Sequence, residues 1–491
     1  MLFNSFTYLL FLPLVVLSYW LTPQRYRTTL LLLASYVFYM NWKPAYGLLI
    51  LGLTVVNYFI GLAIDRFTPL GKPLLVAGAI FNIGCLCFFK YAAFLIESAI
   101  DSLKWLHNWT GSSLIPVPTS PALNIILPLG ISFFTFEFIH YITDVYRGSK
   151  PVKNFRDFAL FAAFFPSQIA GPIKRFQDFT HQLQEHIPFH KADIRGGIFL
   201  ILQGLFKKTV LGDNIGSLVA YGFSHIDSLG TIDAWLAVAG FTFQIFFDFS
   251  GYTDIGRGSA KLLGYNVPEN FNWPFLSANL TDFWRRWHMS LSTWLRDYLF
   301  IPLGGSRGTP WAVRRNIMIT MILGGLWHGA AWHYVIWGAF HGFGLVVSKD
   351  WHDFVSRIST LVRWRQSPLW HWTGVFITLL FLFVAGTLFR AANMTDTFAM
   401  LQRLVSIGPS GDLTQQFLVS TVPIALCSYL SFLALRALIK QPRFSEQPVV
   451  QSVLSWWESS RRARLVTYAS MAVVILGFAP ARFAPFIYFQ F

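Results

Sequence analysis

Apolar runs separated by short basic connections fill most of this sequence. Several approach the ~20 residues that a helix needs to cross a hydrocarbon layer about 30 Å thick. Inside such a layer every backbone N–H and C=O must be satisfied by the protein itself, which leaves helices or closed barrels. A barrel would show short alternating segments, and this chain does not. Only 12% of residues are charged, while 54% are hydrophobic and 18% aromatic; soluble domains carry about 25% charged residues. The sequence therefore predicts an all-α polytopic membrane protein, with about 11–12 transmembrane helices plus re-entrant or interfacial helices. No internal repeat, low-complexity tract or soluble module interrupts it, so residues 1–491 read as a single integral-membrane domain.

The predicted spans are 5–21, 28–41, 45–64, 74–97, 123–142, 196–222, 231–249, 316–329, 331–348, 370–389, 415–437 and 465–480. Lys and Arg number 38 against 23 Asp and Glu, a formal net charge of +15. These basic residues lie in the connections, as the positive-inside bias requires, and no nucleic-acid module accompanies them. Arg25 and Arg27, Arg66 and Lys72, Arg147 and Lys150, Arg314 and Arg315, and Arg461 and Arg462 would mark cytoplasmic loops, leaving both termini outside. Lys207 and Lys208 fit badly within the span at 196–222. Cys85, Cys87 and Cys427 have no disulfide or zinc spacing. The apolar N-terminus lacks a basic leader and a small-residue cleavage site, so an uncleaved first span is expected.

Two stretches depart from ordinary spans. Phe164 to Arg175 is broken by Pro166, Gly171 and Pro172, which suggests a re-entrant or interfacial segment. Residues 278–303 place Trp284, Trp287, Trp294 and Tyr298 among Arg285, Arg286 and Arg296. Two arginines at mid-bilayer cost roughly 5–7 kcal/mol on insertion scales, so a helix at the interface or inside the protein is expected. The polar stretch 440–463, around Trp456 and Trp457, is expected to form an interfacial helix.

Ionisable residues at lipid depth are functional candidates. His328, in Gly324-Gly325-Leu326-Trp327-His328-Gly329, lies thirteen residues beyond Arg315. A helix would carry it about 20 Å inward from the cytoplasmic edge. The flanking glycines permit close helix approach and leave room for a substrate. A neutral imidazole suits a general base, able to take a proton from a hydroxyl attacking a thioester. His288, in Phe283-Trp284-Arg285-Arg286-Trp287-His288, could orient the acceptor or stabilise a tetrahedral intermediate; an interfacial headgroup cluster is the competing interpretation. Asp248 and Asp254, beside the end of a span, are expected to pair with Arg285 and Arg286 in a structural role. Glu137 and His140 share a helix face, with Asp144 one turn on, as a proton path or a buried hydrogen-bonded trio. His333 and His341 are eight apart, and no metal-ligand set can be assembled around them.

The words Pro128-Leu129-Gly130-Ile131-Ser132-Phe133, Asp144-Val145-Tyr146-Arg147-Gly148, Ile169-Ala170-Gly171-Pro172-Ile173 and Gly204-Leu205-Phe206-Lys207-Lys208 occur in that order. Phe247 to Tyr252, Asn270-Phe271-Asn272, Phe283 to Ser290, Trp294 to Tyr298, Ile301 to Gly305, Leu326 to Gly329, Phe389-Arg390-Ala391 and Pro485 to Phe491 follow. The chain thereby resembles the membrane-bound O-acyltransferases, and more narrowly their bacterial branch acting in alginate O-acetylation and teichoic acid D-alanylation. The resemblance implies a helical funnel with a motif-bearing core of about 125–345 and peripheral helices at 1–122 and 346–491. It implies that His328 is the catalytic histidine and His288 the second, with Trp327 and Trp287 as supporting neighbours. It implies no bound cofactor, with acetyl-CoA as cytoplasmic acyl donor. The acceptor side would be an extracytoplasmic acetyltransferase partner and a secreted polysaccharide such as alginate or cellulose, at the bacterial inner membrane. A carrier-protein thioester is the alternative donor, and a proton-coupled transporter or lipid-binding scaffold the non-enzymatic alternative. Glu137, His140, Ala331 and His333 depart from the family pattern, which bears on acceptor, partner and proton route.

Overall fold

The computed structural model describes residues 1–111, 119, 125–169, 171–185, 187–406, 408, 411–439, 451–452, 455–456, 459–480 and 485–487. Among these the regular structure is helical throughout. The first layer is α1 (Phe6–Leu21), α2 (Gln24–Met40), α3 (Pro44–Arg66), α4 (Gly71–Leu86) and α5 (Ala92–Thr110). The middle of the chain supplies α6 (Ile131–Tyr146), α7 (Phe155–Ala163), α8 (Phe176–Gln184), α9 (Ile194–Leu205), α10 (Asn214–Ser224) and the long α11 (Thr231–Leu262). Then come the short α12 (Leu280–Arg286) and α13 (Met289–Leu295), the hairpin of α14 (Pro310–His328) and α15 (Trp332–Val355), and α16 (Ser359–Trp364). The chain closes with α17 (Pro368–Arg390), α18 (Met394–Val405), α19 (Asp412–Val419), α20 (Val422–Ile439) and α21 (Arg461–Phe478).

The all-α polytopic reading holds. By length and apolarity alone, four helices among the described residues can cross a membrane: Pro44–Arg66, Thr68–Thr110, Thr231–Leu262 and Pro368–Arg390. A fifth is possible if α19 and α20, bent by 55°, form one broken span. The other predicted spans are helices that are shorter or carry polar ends. In α1, Tyr8, Leu12, Val15 and Tyr19 are buried on one stripe while Leu10, Leu14 and Leu17 face outward, as expected for a helix with a lipid-facing side.

Several boundaries differ, each for a local reason. The span predicted at 123–142 starts at Ile131, because Gly130 holds a left-handed backbone (φ +75°) at the helix entry; residues 123–124 lie outside the described set. The span at 74–97 contains a wide π-turn at Cys87–Tyr91 and runs on to Thr110, where Gly111 holds a left-handed backbone (φ +62°). The span at 231–249 runs on to Leu262, so Asp248 and Asp254 sit inside a helix rather than beside its end.

The Phe164–Arg175 stretch is irregular backbone enclosed by protein, with Ser167, Gln168 and Lys174 buried; Ala170 lies outside the described residues. Residues 278–303 pack inward through Phe283, Trp287, Leu291, Trp294 and Leu295 while Arg285 stays exposed. Most of 440–463, including Trp457, lies outside the described residues, as do residues 488–491.

α14 and α15 form the tightest helix pair near the candidate histidine. A Cβ on Gly325 would stand 2.8 Å from Gly338 Cα and collide with the Tyr334 carbonyl. The glycines beside His328 therefore serve helix contact, and Gly325 and Gly329 leave no room for a substrate. Gly325→Ala is expected to destabilise the protein by ~1–3 kcal/mol through overpacking. A lowered thermal midpoint in detergent would show it. Gly324→Ala, whose Cβ would meet only a Leu295 methyl at 3.3 Å, serves as the mild control.

Candidate active site

His328 is the last residue of α14, and Gly329 leaves the helix in extended conformation. A helix C-terminus exposes unpaired carbonyls that favour a cation. Here α4 and α5 supply it from their π-turn. Lys90 Nζ donates to the Trp327 carbonyl and, at 3.3 Å, to that of His328, while Tyr91 Oη donates to Leu326 O at 2.8 Å. The His328 ring is buried among Trp327, Trp337 and Phe389, with ring centroids at 5.0, 5.0 and 5.3 Å.

His288 caps the start of α13 in a left-handed conformation (φ +41°), which a non-glycine residue adopts only under constraint. Asn270 provides that constraint. Its carbonyl accepts from Met289 N at 3.0 Å, and its Oδ1 accepts from Ser290 Oγ at 2.7 Å and Ser290 N at 3.2 Å. Ser290 Oγ in turn accepts from Ile173 N at 3.0 Å, tying the turn to the irregular 164–175 segment. The His288 side chain is fully buried, edge-on to Phe249 at 4.6 Å, and neither ring nitrogen has a hydrogen-bond partner among the described residues. Both histidines contact the same indole: Trp327 lies 6.0 Å from His288 and 5.0 Å from His328, centroid to centroid. Trp327 also stacks on Phe136.

A small, partly open cavity lies beside His328, between α11, α12, α14, α15 and α17. Its walls are aromatic, including Phe283, Trp284, Trp287 and Trp337, and the ionisable groups lining it are His328 and His341. His288 is not part of this lining. Of the two residues beside the histidines, Trp287 faces the cavity and Trp327 touches both rings. His341 and Lys90 are the neighbours that sequence reasoning misses. His341 enters there only as a poor metal ligand with His333, which is half-buried; Lys90 is a lone lysine inside an apolar span, and that was its signal. Among the described residues no group of three or more His, Cys, Asp or Glu converges on one point.

The acids sit elsewhere than expected. Asp248 and Asp254 do not pair with Arg285 and Arg286. Asp254 receives Lys207 Nζ at 2.7 Å and Gln203 Nε2 at 2.8 Å. Lys208 Nζ lies 2.7 Å from Asp248 and 2.6 Å from Asp213, and Asp248 Oδ2 also accepts from Ile487 N at 2.7 Å. The two lysines that fit a membrane span poorly are thus neutralised within the protein. Arg286 pairs instead with Asp282 at 3.0 Å. Glu137, His140 and Asp144 are each bonded to other residues: Glu137 to buried Lys174 at 2.7 Å, His140 Nε2 to Phe176 N at 3.3 Å, and Asp144 to Tyr298 Oη and Gln177 Nε2, both at 2.8 Å.

Comparison with known proteins decides the family. The model of the membrane-bound O-acyltransferase family matches residues 145–390, which include both histidines and the cavity. The probable alginate O-acetylase of Pseudomonas aeruginosa is 39% identical over 91% of this chain and 84% of its own length. This chain is a membrane-bound O-acyltransferase. The peptidoglycan O-acetyltransferase of Helicobacter pylori is 34% identical over 83% of the chain and 80% of its length. The teichoic acid D-alanyltransferase of Bacillus subtilis is 33% identical over 55% of the chain and 69% of its length. As a membrane-bound O-acyltransferase, the protein is an all-helical, multi-pass membrane enzyme.

Lys208→Met would strand two buried carboxylates, and breaking a buried pair costs roughly 3–5 kcal/mol. The variant is expected to lose most folded protein in detergent, and adding Asp248→Asn to restore part of it; size-exclusion profiles of the two variants check this.

Proposed function

We propose that this enzyme moves acetyl groups from acetyl-CoA, presented on the cytoplasmic face of the bacterial inner membrane, for O-acetylation of a secreted exopolysaccharide of the alginate type. Both termini would lie on the periplasmic side. The acetyl group would be delivered to an extracytoplasmic acetyltransferase partner or directly to the polymer. His328 is the proposed base. An acceptor hydroxyl in the cavity loses its proton to the imidazole as its oxygen attacks the thioester carbonyl. The tetrahedral intermediate then collapses, the C–S bond breaks, and the proton passes from the imidazolium to the departing thiolate. His288, across Trp327, would stabilise the charge that develops.

The observation that carries this reading is the placement of His328 at the end of α14, against a narrow, aromatic-walled cavity. Apolar walls of this kind disfavour water as a competitor for the thioester. The long, near-complete similarity to the alginate and peptidoglycan O-acetylases favours acetyl over D-alanyl transfer, since the D-alanyltransferases match little more than half of the chain.

His328→Ala is expected to lower polymer O-acetyl content by ~10²–10⁴-fold, the usual worth of a positioned acid–base group. Cells with normal levels of the variant protein and unchanged acetylation would remove the proposal. Donor identity has its own check. Membranes given labelled acetyl-CoA should form labelled O-ester, and label arriving only from a carrier-protein thioester would replace the donor.

A further inference from the structure

The mechanism above leaves one ionisable group of the cavity unused. His341 lies on α15, 1% exposed, and lines the same cavity as His328. Its ring packs against Trp284 of α12 at 5.2 Å, Trp337 of its own helix at 4.4 Å and Phe381 of α17 at 5.2 Å. Three elements therefore fix the imidazole. Its Nδ1 is shielded from solvent and has no hydrogen-bond partner among the described residues. The Nε1 of Trp284, on the same wall, is likewise unpartnered among them. Burying such groups without partners costs about 1–3 kcal/mol each, a cost that a hydroxyl bound in the cavity would offset. One indole joins the two cavity histidines: Trp337 lies 5.0 Å from His328 and 4.4 Å from His341.

We propose that His341 is the acceptor-binding residue of the cavity, its imidazole hydrogen-bonding the hydroxyl that His328 deprotonates. The proposal rests on the acyl-transfer reading of His328. The acceptor group it fits carries a hydroxyl on an otherwise apolar carbon face, as a sugar ring does. The Trp284 and Trp337 indoles pack on that face, and His341, with the Trp284 N–H, holds the oxygen. In neutral imidazole Nδ1 either donates or accepts, so the acceptor's hydroxyl can complete the bond in either tautomer. His341 takes no part in the proton's route; it sets which oxygen stands before the thioester and in what orientation.

Two substitutions separate hydrogen bonding from shape. His341→Phe keeps a flat ring among the same aromatic neighbours and removes the polar atom. His341→Asn is smaller but keeps an amide near the Nδ1 position. Each is placed in the chromosomal gene of cells making acetylated polymer, with polymer O-acetyl content, protein abundance and thermal midpoint in detergent measured together. His341→Phe is expected to lower acetylation by about tenfold or more at normal abundance and midpoint, while His341→Asn retains most of it. Wild-type acetylation in His341→Phe, or an Asn variant as defective as the Phe variant, overturns the proposal. His328→Ala run alongside keeps the two readings apart: normal acetylation there sinks the acyl-transfer mechanism itself, whereas its loss there with a normal His341→Phe sinks only the role of His341.

Discussion

A charge held inside a lipid-surrounded bundle must be satisfied within the protein, by an opposite charge or by backbone carbonyls, and this requirement organises the core. The π-turn at Phe206–Asp213 directs two successive lysines inward. Lys207 meets Asp254 and Lys208 meets both Asp248 and Asp213, so α9, the π-turn and α11 are fixed to one another. The Ile487 amide on Asp248 draws the end of the chain to the same point. Lys174 and Glu137 do the equivalent for the irregular 164–175 segment against α6. Because an unpaired partner in such a site is far more costly than the pair is stabilising, these contacts specify which helices are neighbours.

On this frame the candidate site is assembled from four separate parts of the sequence. α14 brings His328 to a helix end, Lys90 and Tyr91 close that end, the Asn270 turn supports His288, and α15 contributes Trp337 and His341. The histidines are spaced by tryptophans: Trp327 touches His288 and His328, and Trp337 touches His328 and His341. Indoles fill space rigidly and present few polar atoms, so each imidazole is held against a largely apolar surface.

Much of this was legible before any coordinates. Period and length gave most helices, because a lipid-crossing segment advertises itself as an apolar run. The ordered motif words led to the family. The boundaries at Ile131 and Thr110 were not legible to the residue, since the left-handed backbones of Gly130 and Gly111, not hydrophobicity, decide them. The partners of Asp248 and Asp254 were misjudged for a related reason. Arg285 and Arg286 are conspicuous cations, but pairing depends on which helices pack side by side, and α11 packs against α9.

The sequence by itself determined that the chain is an all-helical membrane enzyme and that His328 and His288 are its candidate histidines, because burial of a charged or polar group in lipid leaves a trace in composition and spacing. Only the tertiary structure decided which groups share a cavity. Nothing in the sequence joins His341 or Lys90 to His328; they matter because helix packing brings one to the wall of the same cavity and the other to the carbonyl end of its helix. Contacts between residues more than two hundred positions apart, such as Lys90 with His328, arise from packing that no local pattern encodes.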